Sequence, residues 1–267
     1  MEKPKRDSNR IDIAKLNPDE ISGDDLTGGY VFKVDKVSSG DVTWASPYLP
    51  WPTGNPVNFI HVYPDPATMA AEQATYIQNY VDSFETALIG PNFMDSTLGY
   101  RAYADINSCV DAFLIQEMAR NLDAYRCSVF LYKDKDSKGG KLVIAPIWDY
   151  DLTYGNADFC DAWKYDGWQY NFNYVCGGDS WLNPFWFERM TQDSTFIQHA
   201  RCRWDQLRSG IFSEAYLDSW IDSSAAALNE SQSWNFKVWP IIGTYVWPNY
   251  YIADSWQGEV DTLKWWI

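Results

Sequence analysis

The chain has 267 residues, with 36 Asp and Glu against 21 Lys and Arg, giving a formal charge of −15. That balance excludes duplex nucleic acid as a partner, because phosphate neutralisation needs clustered cations. With 46% hydrophobic and 17% aromatic residues, it has the composition of a folded globular protein, and its length suits one domain or two small ones.

Residues 1–28 are polar and carry no apolar leader. No run approaches the roughly 18 apolar residues of a membrane span. After Gly28-Gly29, the alternation of Tyr30, Phe32 and Val34 predicts a half-buried strand. Residues 44–66 hold six prolines and read as an irregular connection. Over 66–88, Met69, Tyr76, Ile77, Tyr80, Val81, Phe84 and Leu88 recur at helical spacing, and Gly90-Pro91 ends the pattern. A second helix is expected from Ser108, with Asp111 closing a capping box, to Arg120-Asn121. Residues 125–133 and 141–148 then form a hairpin around a charged, Gly-containing turn, on which Lys133 and Lys141 read as solvated.

Residues 157–187 are a loop crowded with Trp163, Trp168, Trp181 and Trp186. Helices are expected over 183–192, 195–209, 213–231 and from Gly258 to the end, where no C-cap follows. Trp at 186, 204, 220, 239 and 266 reads as core. Cys160 and Cys176 flank the aromatic loop and are the best pair for a disulfide. Five buried thiols are an equal alternative, and no CxxC motif exists.

With histidine only at positions 61 and 199, a His-rich zinc site and an HExxH helix are excluded, so any acid-base or metal chemistry rests on carboxylates. Asp149 and Asp151 follow the hairpin's second strand. In extended backbone, i and i+2 share a side, giving hard oxygen ligands for Mg²⁺ or Mn²⁺. The hairpin returns them toward Asp123, 26 residues before Asp149, a potential general base. Asn121 equally suits a helix C-cap and Asn156 a turn. The aromatic loop offers a rival reading, a surface that stacks sugar rings or holds a partner protein.

Residues 113–156, with NLDAYR (121–126), FLYK (130–133), IWDYDL (147–152) and Gly155-Asn156, together with NPFWFERM (183–190), residues 231–248 and the ending EVDTLKWWI, resemble the CotH kinase family. The likeness is greatest to its long, Trp-rich, Bacteroidetes-type versions and spans the whole chain. The resemblance implies an atypical protein-kinase fold, α+β and mostly helical, with a central β-hairpin and a long aromatic loop. It also implies an exported or cell-envelope location and use of ATP with a divalent metal to phosphorylate Ser residues of exported or coat proteins.

By the same resemblance, Asp123 is the catalytic carboxylate that receives the hydroxyl proton, and Asp149 holds metal. Ser128 stands where a kinase commonly has Asn as second metal ligand, and Asn121, Asp151 and Asn156 are its alternatives. Residues 1–40 resemble the inter-lobe strand and linker, with Glu2 near the adenine, and 41–267 the C-terminal lobe. A phosphate-binding lobe is expected to precede Met1, leaving this chain alone weakly active or inactive.

Overall fold

The computed structural model describes residues 4–267. A single helical turn, α1 (Gly23–Leu26), precedes strands β1 (Tyr30–Val34), β2 (Thr43–Ala45) and β3 (Asn58–Tyr63). Helices α2 (Ala71–Ile89) and α3 (Ile106–Met118) lead to the hairpin β4 (Val129–Lys133) and β5 (Leu142–Ile144). The short α4 (Phe172–Val175) and α5 (Trp186–Met190) are followed by α6 (Ser194–Arg208), α7 (Glu214–Val238) and α8 (Trp256–Trp266). The strands form one antiparallel sheet in the order β2-β3-β1-β4-β5, within the expected α+β class.

The sheet departs from the sequence reading in two ways. The hairpin is not central: β5 is an edge strand, and β1 holds the middle, paired with both β3 and β4. The Pro-rich stretch read as irregular contains most of β2 and all of β3, because its prolines fall outside the paired segments 43–45 and 58–63. β1 is also more than half-buried. Tyr30, Phe32 and Val34 pack under α2, α3 and α5, while Val31 turns to the opposite face among Ile11, Ile13 and Phe130. Each such side chain, fully buried, contributes about 1.5–3 kcal/mol.

α2 lines the main core with Ile77, Val81, Phe84 and Leu88, at the spacing expected of it. It starts at Ala71 rather than near 66, because Asp65 closes a separate turn by accepting the Thr68 and Met69 amides. α3 starts two residues before Ser108, with Asp105 as its cap: the Asp105 carboxylate accepts from the Ser108 amide at 2.7 Å. Asp111 instead pairs with Arg203 of α6. α7 runs to Val238, well past the expected end, and buries none of its residues. Trp186 and Trp266 are core as expected, but Trp220 and Trp239 are exposed.

Lys133 corrects another expectation. It is fully buried, its ammonium donates to the Thr27 carbonyl and to Asp136 at 2.8 Å, and it sits 4.5 Å from the Tyr80 ring centroid. Gly28 makes this junction possible, since a Cβ there would lie 1.9 Å from the Lys135 amide nitrogen. Among the described residues, no helix is long and apolar enough to cross a membrane.

Candidate active site

The segment that leaves α3 is built on an unusual backbone. All seven described non-glycine residues with positive φ lie between Arg120 and Asp161: Arg120, Tyr125, Ser128, Asp149, Tyr154, Cys160 and Asp161. Left-handed backbone costs an L-residue about 1–2 kcal/mol, so such a cluster persists only where the surroundings dictate it.

Asn121 organises the first turn. Its side-chain oxygen accepts from the Asp123 amide at 3.1 Å, while its amide group donates to Gln116 at 2.9 Å. The chain then coils back, with the Arg126 and Cys127 amides both donating to the Asp123 carbonyl. This brings Arg126 onto Asp123, the guanidinium donating to the carboxylate at 2.8 Å. Arg126 is buried and fully engaged. It also donates to the carbonyls of Leu122 (3.0 Å) and Trp181 (3.1 Å), pairs with Asp179 (3.3 Å), and lies 4.1 Å from the Phe172 ring centroid.

The structure brings Asp123, Asp149 and Asp151 into one electrostatic neighbourhood. Burial raises the Asp123 pKa, Arg126 and Lys36 oppose this, and Asp151 and Asp149 add to it. The route by which the carboxylates meet differs from the sequence reading. β5 ends at Ile144 and Asp149 is left-handed, with φ 61°, so a turn rather than strand alternation presents Asp149 and Asp151. Ser128 reaches the pair directly, its hydroxyl donating to Asp149 at 3.3 Å. Asn156 donates its side-chain amide to the Asp151 carbonyl at 3.1 Å, closing the turn that carries that residue. Glu2 lies outside the described residues.

Asp149 and Asp151 offer hard carboxylate oxygens. Asp151 is exposed, and no hydrogen bond reaches its carboxylate among the described residues. Those donors fit a hard divalent cation that takes the rest of its shell from phosphate and water. No three His, Cys, Asp or Glu side chains among the described residues are grouped to hold a metal by themselves.

Cys160 and Cys176 are joined as a disulfide, with Cα atoms 5.3 Å apart. The loop they close presses on the acidic turn. Gln169 donates to the Asn121 carbonyl at 2.9 Å, and the Gln169 and Tyr170 amides donate to the Glu117 carboxylate. Burial pushes the Glu117 carboxyl up to about 7. A cleft of about 450 Å³ opens beside Ser128, lined by Phe130, Ile144, Ile147, Trp148 and Tyr150.

Sequence reasoning missed Arg126, Asp179 and Lys36. Arg126 carried a usable signal, three residues beyond Asp123 in a tight turn. Asp179 and Lys36 carried none, since each reaches the site only through the tertiary fold.

Comparison with curated proteins and with solved structures finds no match to either. A family model does match, that of the CotH kinase protein, and it covers residues 1–267, including every element that carries the acidic turn and the carboxylate pair. The chain belongs to the CotH kinase family.

Proposed function

We propose that this chain carries the acidic half of an atypical protein kinase site, transferring the γ-phosphoryl group of ATP to Ser hydroxyls of exported or coat proteins. The observation that supports it is the convergence of Asp123 with Asp149 and Asp151 on strained, tightly hydrogen-bonded turns in a CotH kinase family chain. Phosphoryl transfer asks a protein chiefly for positioning and charge neutralisation, and carboxylates with a divalent ion supply both.

In this reading Asp149 and Asp151 hold Mg²⁺ or Mn²⁺, which when bound neutralises phosphate charge. Ser128 orients Asp149 through its hydroxyl. Asp123 takes the proton of the acceptor hydroxyl at its free carboxylate oxygen, Arg126 holding the other. Burial raises the proton affinity of Asp123, which suits a base. Asn121 fixes the backbone that carries it.

The test is thermal unfolding with and without Mg²⁺·ATP. The nucleotide is expected to raise the melting temperature, and Asp149→Ala to abolish the rise. A rise that survives Asp149→Ala places the metal elsewhere.

A second reading is favoured by a cleft of about 990 Å³ lined by Tyr165, Trp168, Tyr170, Trp204, Glu188 and Arg201. Trp168 is 53% exposed and stacked on Phe113, a platform for a sugar ring with polar groups at its rim. If polysaccharides raise the melting temperature, Trp168→Ala removes that effect and nucleotide has none, the chain is a glycan-binding module instead.

A further inference from the structure

We propose that the Cys160–Cys176 disulfide is a positioning device for the acidic site: it fixes the loop that clasps Arg126, and through Arg126 the placement of the Asp123 carboxylate. This role rests on the reading of Asp123 as the proton acceptor, whereas the mechanical link from bridge to guanidinium stands without it.

The link is short. Leu122, Ala157, Ala162 and Phe172 form a small apolar cluster separate from the main core, and both half-cystines pack against it. Leu122 immediately precedes Asp123, and its amide donates to the Leu152 carbonyl at 3.0 Å, next to Asp151. The bridge therefore sits in the packing that joins the two acidic segments. From within the cluster the loop lays Phe172 under the Arg126 guanidinium, and the segment just past Cys176 supplies the Asp179 carboxylate and the Trp181 carbonyl to it. Arg126 donates to Asp123 from the same planar group, so a shift of the loop turns the fork that orients the carboxylate.

Buried amides also tie the loop at its middle, Gln169 to the Asn121 carbonyl and Asn173 to the Trp51 and Asn183 carbonyls, but near the bridge itself it has little regular structure or core. Between Cys160 and α5 the only regular structure is a 3-10 turn at Gln169–Asn171 and the four-residue α4, and the cluster contains only four fully buried residues. A covalent tie across 16 residues supplies rigidity that so small an apolar cluster does not. Reduction breaks the S–S bond with two electrons and two protons, leaving two thiols, while a dithiol reductant closes its own disulfide. The site is thereby ordered in oxidising surroundings and loosened in reducing ones.

The experiment compares ¹⁵N-labelled protein before and after dithiothreitol, with mass spectrometry confirming two new thiols and far-UV circular dichroism confirming retained helix. The reporter is the Arg126 Nε–Hε resonance, assigned with Arg126→Lys. It is expected to be sharp and exchange-protected when oxidised, and to exchange at least roughly tenfold faster when reduced. In phosphoryl transfer, kcat is expected to fall at least about tenfold with little change in KM for ATP. Cys160→Ser/Cys176→Ser should reproduce both effects without reductant.

An Arg126 resonance unchanged by verified reduction overturns the proposal. So does global unfolding on reduction or in the double variant, because the bridge would then serve the whole fold rather than the site. If neither redox form transfers phosphate and Mg²⁺·ATP gives no thermal shift, the kinase reading fails while the Arg126 reporter still decides the link.

Discussion

Asp123 carries opposing demands: burial favours its neutral form, while one carboxylate oxygen is held by a buried guanidinium that favours the charged one. Burial is the larger influence, so the pKa rises, and a base of this kind loses activity as pH falls through that raised value. The acid limb of the rate profile is therefore expected above the 3.8 of an ordinary aspartate. Asp123→Asn should lower kcat by about 10²–10⁴-fold while leaving the Mg²⁺·ATP thermal shift intact. A variant that loses the shift and the rate together would make Asp123 a ligand rather than a base. The motif around Asp123 was legible in the sequence, as was its nearness to Asp149, because a hairpin returns a chain to its own start. The left-handed backbone at Asp149 was not, since aspartate tolerates positive φ but rarely adopts it, and nothing else in the run Trp148-Asp149-Tyr150 marks a turn.

Helices announced themselves through periodicity, and α2 shows how far that goes. Its apolar positions gave the buried face, yet the same face hides Glu85, a charged residue that a search for apolar positions passes over. Glu85 accepts from Trp186 Nε1 at 2.7 Å and from the Ser46 hydroxyl at 2.8 Å, joining α2 to α5 and to the residue after β2. Burial pushes its carboxyl up to about 7. A carboxyl whose folded pKa is raised binds its proton more tightly in the folded state. Its contribution is thus greatest below the unfolded value of 4.5 and is lost as pH rises toward 7. Glu85→Gln keeps an acceptor for Trp186 and never ionises. It is expected to flatten the fall in stability between pH 5 and pH 8 and to stabilise the protein at pH 8 by about 2–3 kcal/mol, measured by urea unfolding. Strands were harder to read than helices: β2 and β3 are short and framed by prolines, and their pairing with β1 is a long-range fact.

Across the whole molecule, burial is uneven. The sheet and α2, α3, α5 and α6 share one core, whereas α7 buries no residue and exposes Trp220 and Trp234 at 64% and 62%. Lys264 of α8 pairs with Asp222 and Asp218 on α7, but ion pairs this exposed contribute little. Hydrogen exchange should therefore find α7 amides opening far below the global unfolding energy, with protection at least roughly 100-fold weaker than in β1. Equal protection would mean that α7 unfolds only with the core.

Lys133 ends β4 with its ammonium sealed between the Thr27 carbonyl, Asp136 and the Tyr80 ring. An amine-reactive acylating reagent needs a neutral, accessible nitrogen, and this one meets solvent only when Thr27, Asp136 and Tyr80 separate from around it. Its labelling rate in the native protein is therefore a clock for that separation, readable by peptide mass mapping, with exposed Lys138 on the adjoining turn as an internal standard that reacts at the unhindered rate.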